Sequence, residues 1–225
     1  LQRSEIYNVD LRWEWFFKPG EKLAAGAFYK FFKNPIEQKL STSTQNYEIK
    51  YVNTDESTLY GAEFEFRKRL DFWNPLRDFM FGGNFTYVYS VVKIPANELE
   101  QIHLLDPDRG DTRPMLGQAP YIINLILGYD NREIKLESNL SYNVTGEKLL
   151  LVTKGATPYI YEQPFPLLRW NISKGLGERW VLDFSINNIL NSGYKAVHHF
   201  PDADYSFLEF SLGRVYSFKV AYQIN

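Results

Sequence analysis

Every second residue is apolar over most of this chain, and that alternation leaves few folds open. In Tyr7–Phe17 the odd positions are Tyr7, Val9, Leu11, Trp13, Trp15 and Phe17. The even positions are Asn8, Asp10, Arg12, Glu14 and one exception, Phe16. Successive side chains of a strand point to opposite sides, so period two marks a strand with one apolar and one wet face. The pattern returns in Leu23–Asn34, Leu59–Leu70, Phe79–Val92, Tyr121–Tyr129, Ile134–Val144, Leu168–Ile172, Trp180–Ile186 and Phe210–Ile224. The reading is nine strands and no helix.

Connection length is the second constraint. Short links at Lys18–Lys22, Asp71–Asp78, Asp130–Arg132 and Lys174–Arg179 alternate with long ones at Pro35–Thr58, Pro95–Pro120, Thr145–Pro166 and Leu190–Leu208. All tight ends then lie on one side, which is how transmembrane barrels with short turns and elaborate outer loops are built. Aromatics make up 17% of the residues, and Trp13, Trp15, Tyr87, Tyr89, Trp170 and Tyr222 suit the girdles at the two edges of an apolar band. The predicted class is an all-β, antiparallel, up-and-down transmembrane barrel segment. A soluble sandwich also alternates, but its outer face would be charged and its loops would not be sorted by length.

Charge and composition exclude other classes. The net charge is −2 with a pI near 6.0, whereas a nucleic-acid binder would show a basic surplus. No run of about 18 apolar residues gives a membrane helix, and mean hydropathy is only −0.36. With no Cys there is no disulfide, thiolate metal site or cysteine nucleophile. Glu63 and Glu65 share a strand face, but a wet face with charges of both signs explains them better than paired catalytic carboxylates do. Asp106–Asp111 carries oxygen donors without the spacing or final Glu of a calcium loop. His198 and His199, near Asp202 and Asp204, would point to opposite faces of a strand, which hinders a shared metal. No catalytic residue, metal or cofactor is expected. Arg214, on the apolar side, is expected to snorkel to lipid phosphates.

Several stretches are similar to one family in its order along the chain. They are Tyr7–Trp15, Lys33-Asn-Pro-Ile-Glu37, Asn53 with Tyr60-Gly-Ala-Glu-Phe-Glu65, Gly117-Gln-Ala-Pro-Tyr121, Asn187-Asn-Ile-Leu-Asn191 with Tyr194, and Gly213-Arg-Val-Tyr216. In these the chain resembles the C-terminal part of a TonB-dependent outer-membrane receptor of the Bacteroidetes type. The resemblance implies a 22-stranded barrel in a Gram-negative outer membrane, filled by an N-terminal plug and energised through TonB to import a scarce nutrient such as a siderophore. This chain would supply strands 14 to 22, with the plug and earlier strands outside it and outer-membrane lipid around it. No leader opens the sequence, so any export signal is expected to have been removed or to lie outside this sequence. A final aromatic usually ends such barrels, and Asn225 stands there instead.

The resemblance also assigns residues. Asp10, Arg12, Glu14, Glu63, Glu65, Arg67, Lys135 and Glu137 would face the lumen and plug. Ligand contacts would come from loop aromatics and histidines: Tyr159, Tyr161 and Phe165 in the third long link, and His198, His199, Phe200, Tyr205 and Phe207 in the fourth.

Overall fold

The computed structural model describes residues 1–43 and 46–224, so Asn225 lies outside the described residues. In chain order the strands begin with β1 (Glu5–Lys18), β2 (Glu21–Lys33), β3 (Ile36–Ser43), β4 (Asn46–Asn53), β5 (Glu56–Arg69), β6 (Phe79–Lys93), β7 (Thr112–Arg113) and β8 (Tyr121–Asn131). They continue with β9 (Leu136–Thr145), β10 (Lys148–Thr153), β11 (Ile160–Glu162), β12 (Leu167–Leu176), β13 (Trp180–Asn187), β14 (Gly193–His199), β15 (Asp204–Ser211) and β16 (Val215–Tyr222).

Nine of these form the large antiparallel sheet in the order β1-β2-β5-β6-β8-β9-β12-β13-β16, with β7 paired at one end of β6. These nine agree with the alternating segments. Cross-strand register keeps the two faces separate over the whole width. Trp13, Ala25, Phe64, Phe85, Ile123 and Val144 stand opposite one another on one face. Glu14, Ala24, Glu65, Asn84, Asn124 and Asn143 do so on the other. A slip of one residue in any pair would put charge among the apolar rows, so the pattern itself fixes register.

The apolar face has a defined height. On β2 it runs from Leu23 to Phe31, with Glu21 and Lys33 closing its ends. Those eight steps cover roughly 27 Å at about 3.3 Å each, close to the ~25 Å apolar band of a membrane barrel. Glu21 is fully buried at the lower end: the Lys68 ammonium donates to it at 2.7 Å and the Arg69 amide at 3.1 Å. Near the other end, Tyr29, Tyr60 and Tyr89 form a row across three strands, with the Tyr60 and Tyr89 rings 5.3 Å apart. Trp180 and Tyr222 pack at 4.7 Å toward the short-turn end.

The connections sort as expected, with additions. At the short-turn end Gly20 and Gly177 take positive φ and a single-turn 3-10 helix covers Asn74–Leu76. At the other end the long links are not irregular. They contain β3, β4, β10, β11, β14 and β15, which hydrogen-bond as a second sheet in the order β15-β14-β11-β10-β3-β4. They also contain a short helix, α1 (Ala96–Ile102), which corrects the reading of no helix. Its seven residues, about two turns, are too few to carry a detectable amphipathic signal. Among the described residues the six strands pair only among themselves, and their core of Leu149, Val152 and Tyr159 lies within the loop body rather than between two sheets. That is not the packing of a sandwich.

Three expectations are corrected. The last segment is two strands, because Gly213 turns with φ +67 between β15 and β16. Arg214 therefore leaves the apolar face, and its Nε donates to the Ile189 carbonyl at 2.8 Å. Ile134 and Lys135 precede β9 in the turn, where Lys135 has φ 50 and donates to the Gly177 carbonyl at 2.7 Å.

Glycine is required at Gly61 by close approach. A Cβ there would stand 2.2 Å from the Tyr87 carbonyl oxygen and 2.5 Å from the Phe28 ring. At Gly128 it would make only an ordinary contact, 3.7 Å from Met80. Gly61→Ala is expected to cost about 1–3 kcal/mol through overpacking. The urea midpoint of the complete folded protein should fall in Gly61→Ala and hold in Gly128→Ala; equal midpoints would contradict the packing described.

Candidate functional site

Two regions gather polar chemistry: the wet face of the large sheet and the loop body at its long-link end. On the wet face, Arg12 bridges Glu14 and Glu65, each at 2.9 Å, with Glu63 at 3.7 Å. Lys22 adds a second contact to Glu65 at 2.8 Å. Glu63 and Glu65 are thus held by shared cations, an arrangement that lines a surface rather than setting two carboxyls at different proton affinities. Beyond β5, at mid-height, the same face carries a ladder of amides. The Asn143 amide donates to Asn124 at 2.6 Å and the Asn124 amide to Asn84 at 2.7 Å. Asp10, Arg67 and Glu137 share this face by register and are exposed. Lys135 sits at its short-turn rim instead.

The loop body is built from all four long links. The first enters through Asn34, at φ 52, whose carbonyl accepts from the Asn53 amide at 2.7 Å, while Asn53 also clasps Gln2. The fourth enters through Asn188, at φ 54, whose side chain bonds the backbone of Ser192 and Gly213. Positive φ is uncommon outside glycine, and asparagine tolerates it because its amide can bond the local backbone. These asparagines explain two of the recurring motifs as hinges between sheet and loops.

At the centre, Arg113 of β7 lies against Glu37 of β3 with a side-chain exposure of 0% and 3% respectively. The Leu116 amide also donates to Glu37. The Arg113 and Arg109 guanidinium groups each stand 5.9 Å from the Tyr159 ring. The Tyr159 hydroxyl donates to Glu98 of α1 at 2.5 Å, and Lys39 pairs with the same carboxylate. Burial first, and then the bond to Glu98, push the Tyr159 hydroxyl far above its ordinary pKa, so it remains a donor. The first three links are thereby joined through one buried polar network, which is stable only because nearly every member has a partner.

Tyr159 is therefore corrected as a ligand-contact residue: at 4% exposure its ring belongs to the core. Tyr161 is half-buried and its hydroxyl accepts from Arg109 at 3.2 Å. Phe165 is half-buried just before β12. His198 and His199 lie on β14 and do diverge, His198 meeting the Pro158 carbonyl at 2.7 Å and His199 meeting Asp204 and Glu147. Phe200 packs on Tyr205 at 5.2 Å, and Phe207 meets the His198 ring at 5.7 Å. Tyr205 and Phe207 are the exposed aromatics of this group. Residues of the link between α1 and β7 lie close to this cluster, so the Asp106–Asp111 stretch is partly engaged: the Arg109 carbonyl accepts from the His103 ring at 2.9 Å. A carbonyl only accepts, so His103 carries the proton on Nε2. Among the described residues no group of three His, Asp or Glu side chains is arranged for a metal ion.

Sequence reading missed Glu37, Lys39, Glu98 and Arg113. Their partners are 59 to 76 residues away, and no local period marks such pairs.

The family model "TonB dependent receptor-like, beta-barrel" matches residues 1–189, and the chain belongs to that family. Solved structures share the fold at low identity. Copper transporter OprC is 10% identical with a TM-score of 0.65, covering 97% of this chain and 31% of its own. The ferric enterobactin receptor PfeA of Pseudomonas aeruginosa is 14% identical with a TM-score of 0.61, covering 98% and 31%. The siderophore receptor PirA of Acinetobacter baumannii is 13% identical with a TM-score of 0.59, covering 97% and 32%. The chain thus spans 31% to 32% of the length of these receptors. No curated protein sequence matches it significantly.

Removing Arg113 would leave Glu37 buried without its cation, at a cost of about 3–5 kcal/mol. Arg113→Ala is expected to open the long links to external protease while the large sheet stays folded. In Glu37→Gln/Arg113→Met, which removes both charges, resistance should largely return. Unchanged proteolysis in Arg113→Ala would show that the network does not hold the loops.

Proposed function

We propose that this chain is the wall and mouth of an active outer-membrane transporter for a scarce nutrient in a Gram-negative bacterium. The observation that carries the reading is the combination of a sheet apolar on one side and polar on the other with long links gathered into one folded body at a single end. Lipid meets the apolar rows of Phe, Tyr, Leu and Trp. The polar face lines a lumen that holds an N-terminal plug, which Arg12, Glu63 and Glu65 would meet on the charged side. Edges β1 and β16 each have one partner here, and the missing strands of a 22-stranded barrel would close them. TonB would act through the plug.

The loop body is the outer mouth. Phe200, Tyr205 and Phe207 on the β14–β15 hairpin, with Tyr161, offer aromatic surface for stacking on a ligand. A metal chelate is the proposed nutrient class, in keeping with the names of the copper, ferric enterobactin and siderophore proteins that share the fold. Those names belong to the other proteins, and identity of 10% to 14% supports the fold rather than the ligand.

The test is accumulation of radio-iron-loaded siderophores by cells with and without the complete receptor, each with and without a protonophore. Accumulation that needs the receptor and collapses with the protonophore is expected. Receptor-dependent accumulation that persists would mean a passive pore, and none with any chelate would remove the chelate assignment. In the same assay, joint substitution of Phe200, Tyr205 and Phe207 by Ala should weaken binding at least about tenfold, near 1.4 kcal/mol. Unchanged affinity would remove these residues from the site.

A further inference from the structure

The fourth long link is fastened to the loop body differently from the other three. Beyond the short ladder between β11 and β14, its outermost hydrogen-bonded tie among the described residues is one imidazole, and Pro201 of the tip borders the cavity beside it. His199 Nδ1 lies 2.6 Å from Asp204 across the hairpin, and Nε2 lies 2.9 Å from Glu147 at the head of the third link. A neutral imidazole has one N–H and one lone pair; the imidazolium has two N–H donors. Carboxylates on both nitrogens are satisfied together only by the imidazolium. The neutral ring must turn a lone pair toward one of two anions.

The surroundings sharpen this. Among the described residues, neither Glu147 nor Asp204 has another ion-pair partner. Glu147 is fixed by the Gln163 amide, and the Tyr161 ring packs on the imidazole at 4.9 Å. Arg109 and Asp106, from the second link, line the same cavity of about 40 Å³ as His199, and Arg109 donates to the Tyr161 hydroxyl. Lys148, next to Glu147, is engaged with Glu162 at 2.8 Å. On the opposite face of β14, His198 bonds a backbone carbonyl, and the ladder to β11 ends there.

We infer that His199, Glu147 and Asp204 form a proton-operated clasp that holds the tip of the β14–β15 hairpin, residues 200–205, against the third link. Loss of the proton releases the tip, while the ladder at Ala196–His198 keeps the base of the hairpin in place. The tip carries Phe200 and Tyr205, so the clasp sets how far that aromatic surface stands from the rest of the mouth. It works the same way whatever the receptor carries.

The sign follows from linkage. Burial pulls the His199 pKa down, but the bond to Asp204 and the charge of and bond to Glu147 outweigh burial and leave it above its ordinary value. A folded value above the free one of about 6.5 gives a clasp at full strength below that pH. It is lost as the pH rises through the raised value.

The chain has no Cys of its own, so, with any cysteines elsewhere in the receptor replaced, a single nitroxide at Ala203→Cys reports the tip. Its mobility would be followed in the complete, ligand-free receptor from about pH 5.5 to about pH 9, spanning the histidine range. The expected result is a one-proton rise in mobility with a midpoint above about 6.5. His199→Gln should abolish the transition, and Glu147→Gln should lower the midpoint by about one unit. A label at Lys50→Cys on β4 should stay unchanged. A flat wild-type profile, a transition that survives His199→Gln, or a parallel change at position 50 would each overturn the clasp.

Discussion

A sheet that is apolar on one side and polar on the other is stable only between two different media. In this chain the requirement extends across nine strands and both faces, and the other elements answer to it. Every backbone donor within the band must be paired between strands, because hydrocarbon offers no water to bond a free amide. Antiparallel neighbours satisfy this with tight turns at one end, and the ladder then delivers every long link to the opposite end. The position of the mouth is a consequence of the wall.

What the long links do once gathered is set by a different balance. A body this small has only a short list of buried apolar side chains, among them Leu149, Val152 and Ile160. The pairing of Glu37 with Arg113 compensates by tying distant links through charge. Such a pair costs desolvation and adds less net stability than its Coulomb energy suggests, but breaking it is expensive. It favours one arrangement of the loops over the alternatives that the same apolar residues would allow. The hinge asparagines Asn34, Asn53 and Asn188 do the corresponding work at the boundary between wall and mouth.

The wall was legible because its signal is local. Trp13, Trp15 and the Phe64–Phe66 pair repeat at period two, and register follows once one face is apolar. The errors fell where that signal stops. Leu212 and Tyr216 keep the parity of one strand, yet Gly213 turns the backbone between them, so alternation ran on through a break. Ile134 kept the parity of β9 while sitting in the turn before it. The mouth was hardly legible. An aromatic in a loop, such as Tyr159, looks the same in sequence whether it is presented to a ligand or buried against Arg113 and Glu98. Only tertiary contact decides, and those partners lie on other links.

The central claim is that lipid lies on one face of the large sheet and a watery lumen on the other. This chain has no Cys of its own, so, with any cysteines elsewhere in the receptor replaced, single substitutions make a clean test. Asn84→Cys and Asn124→Cys on the polar face would be compared with Phe85→Cys and Leu125→Cys on the apolar face. Each would carry a small environment-sensitive fluorophore in the complete receptor in bilayers. The account predicts strong quenching by brominated lipid at positions 85 and 125 and little at 84 and 124. Equal quenching on both faces, or the reverse order, would contradict it.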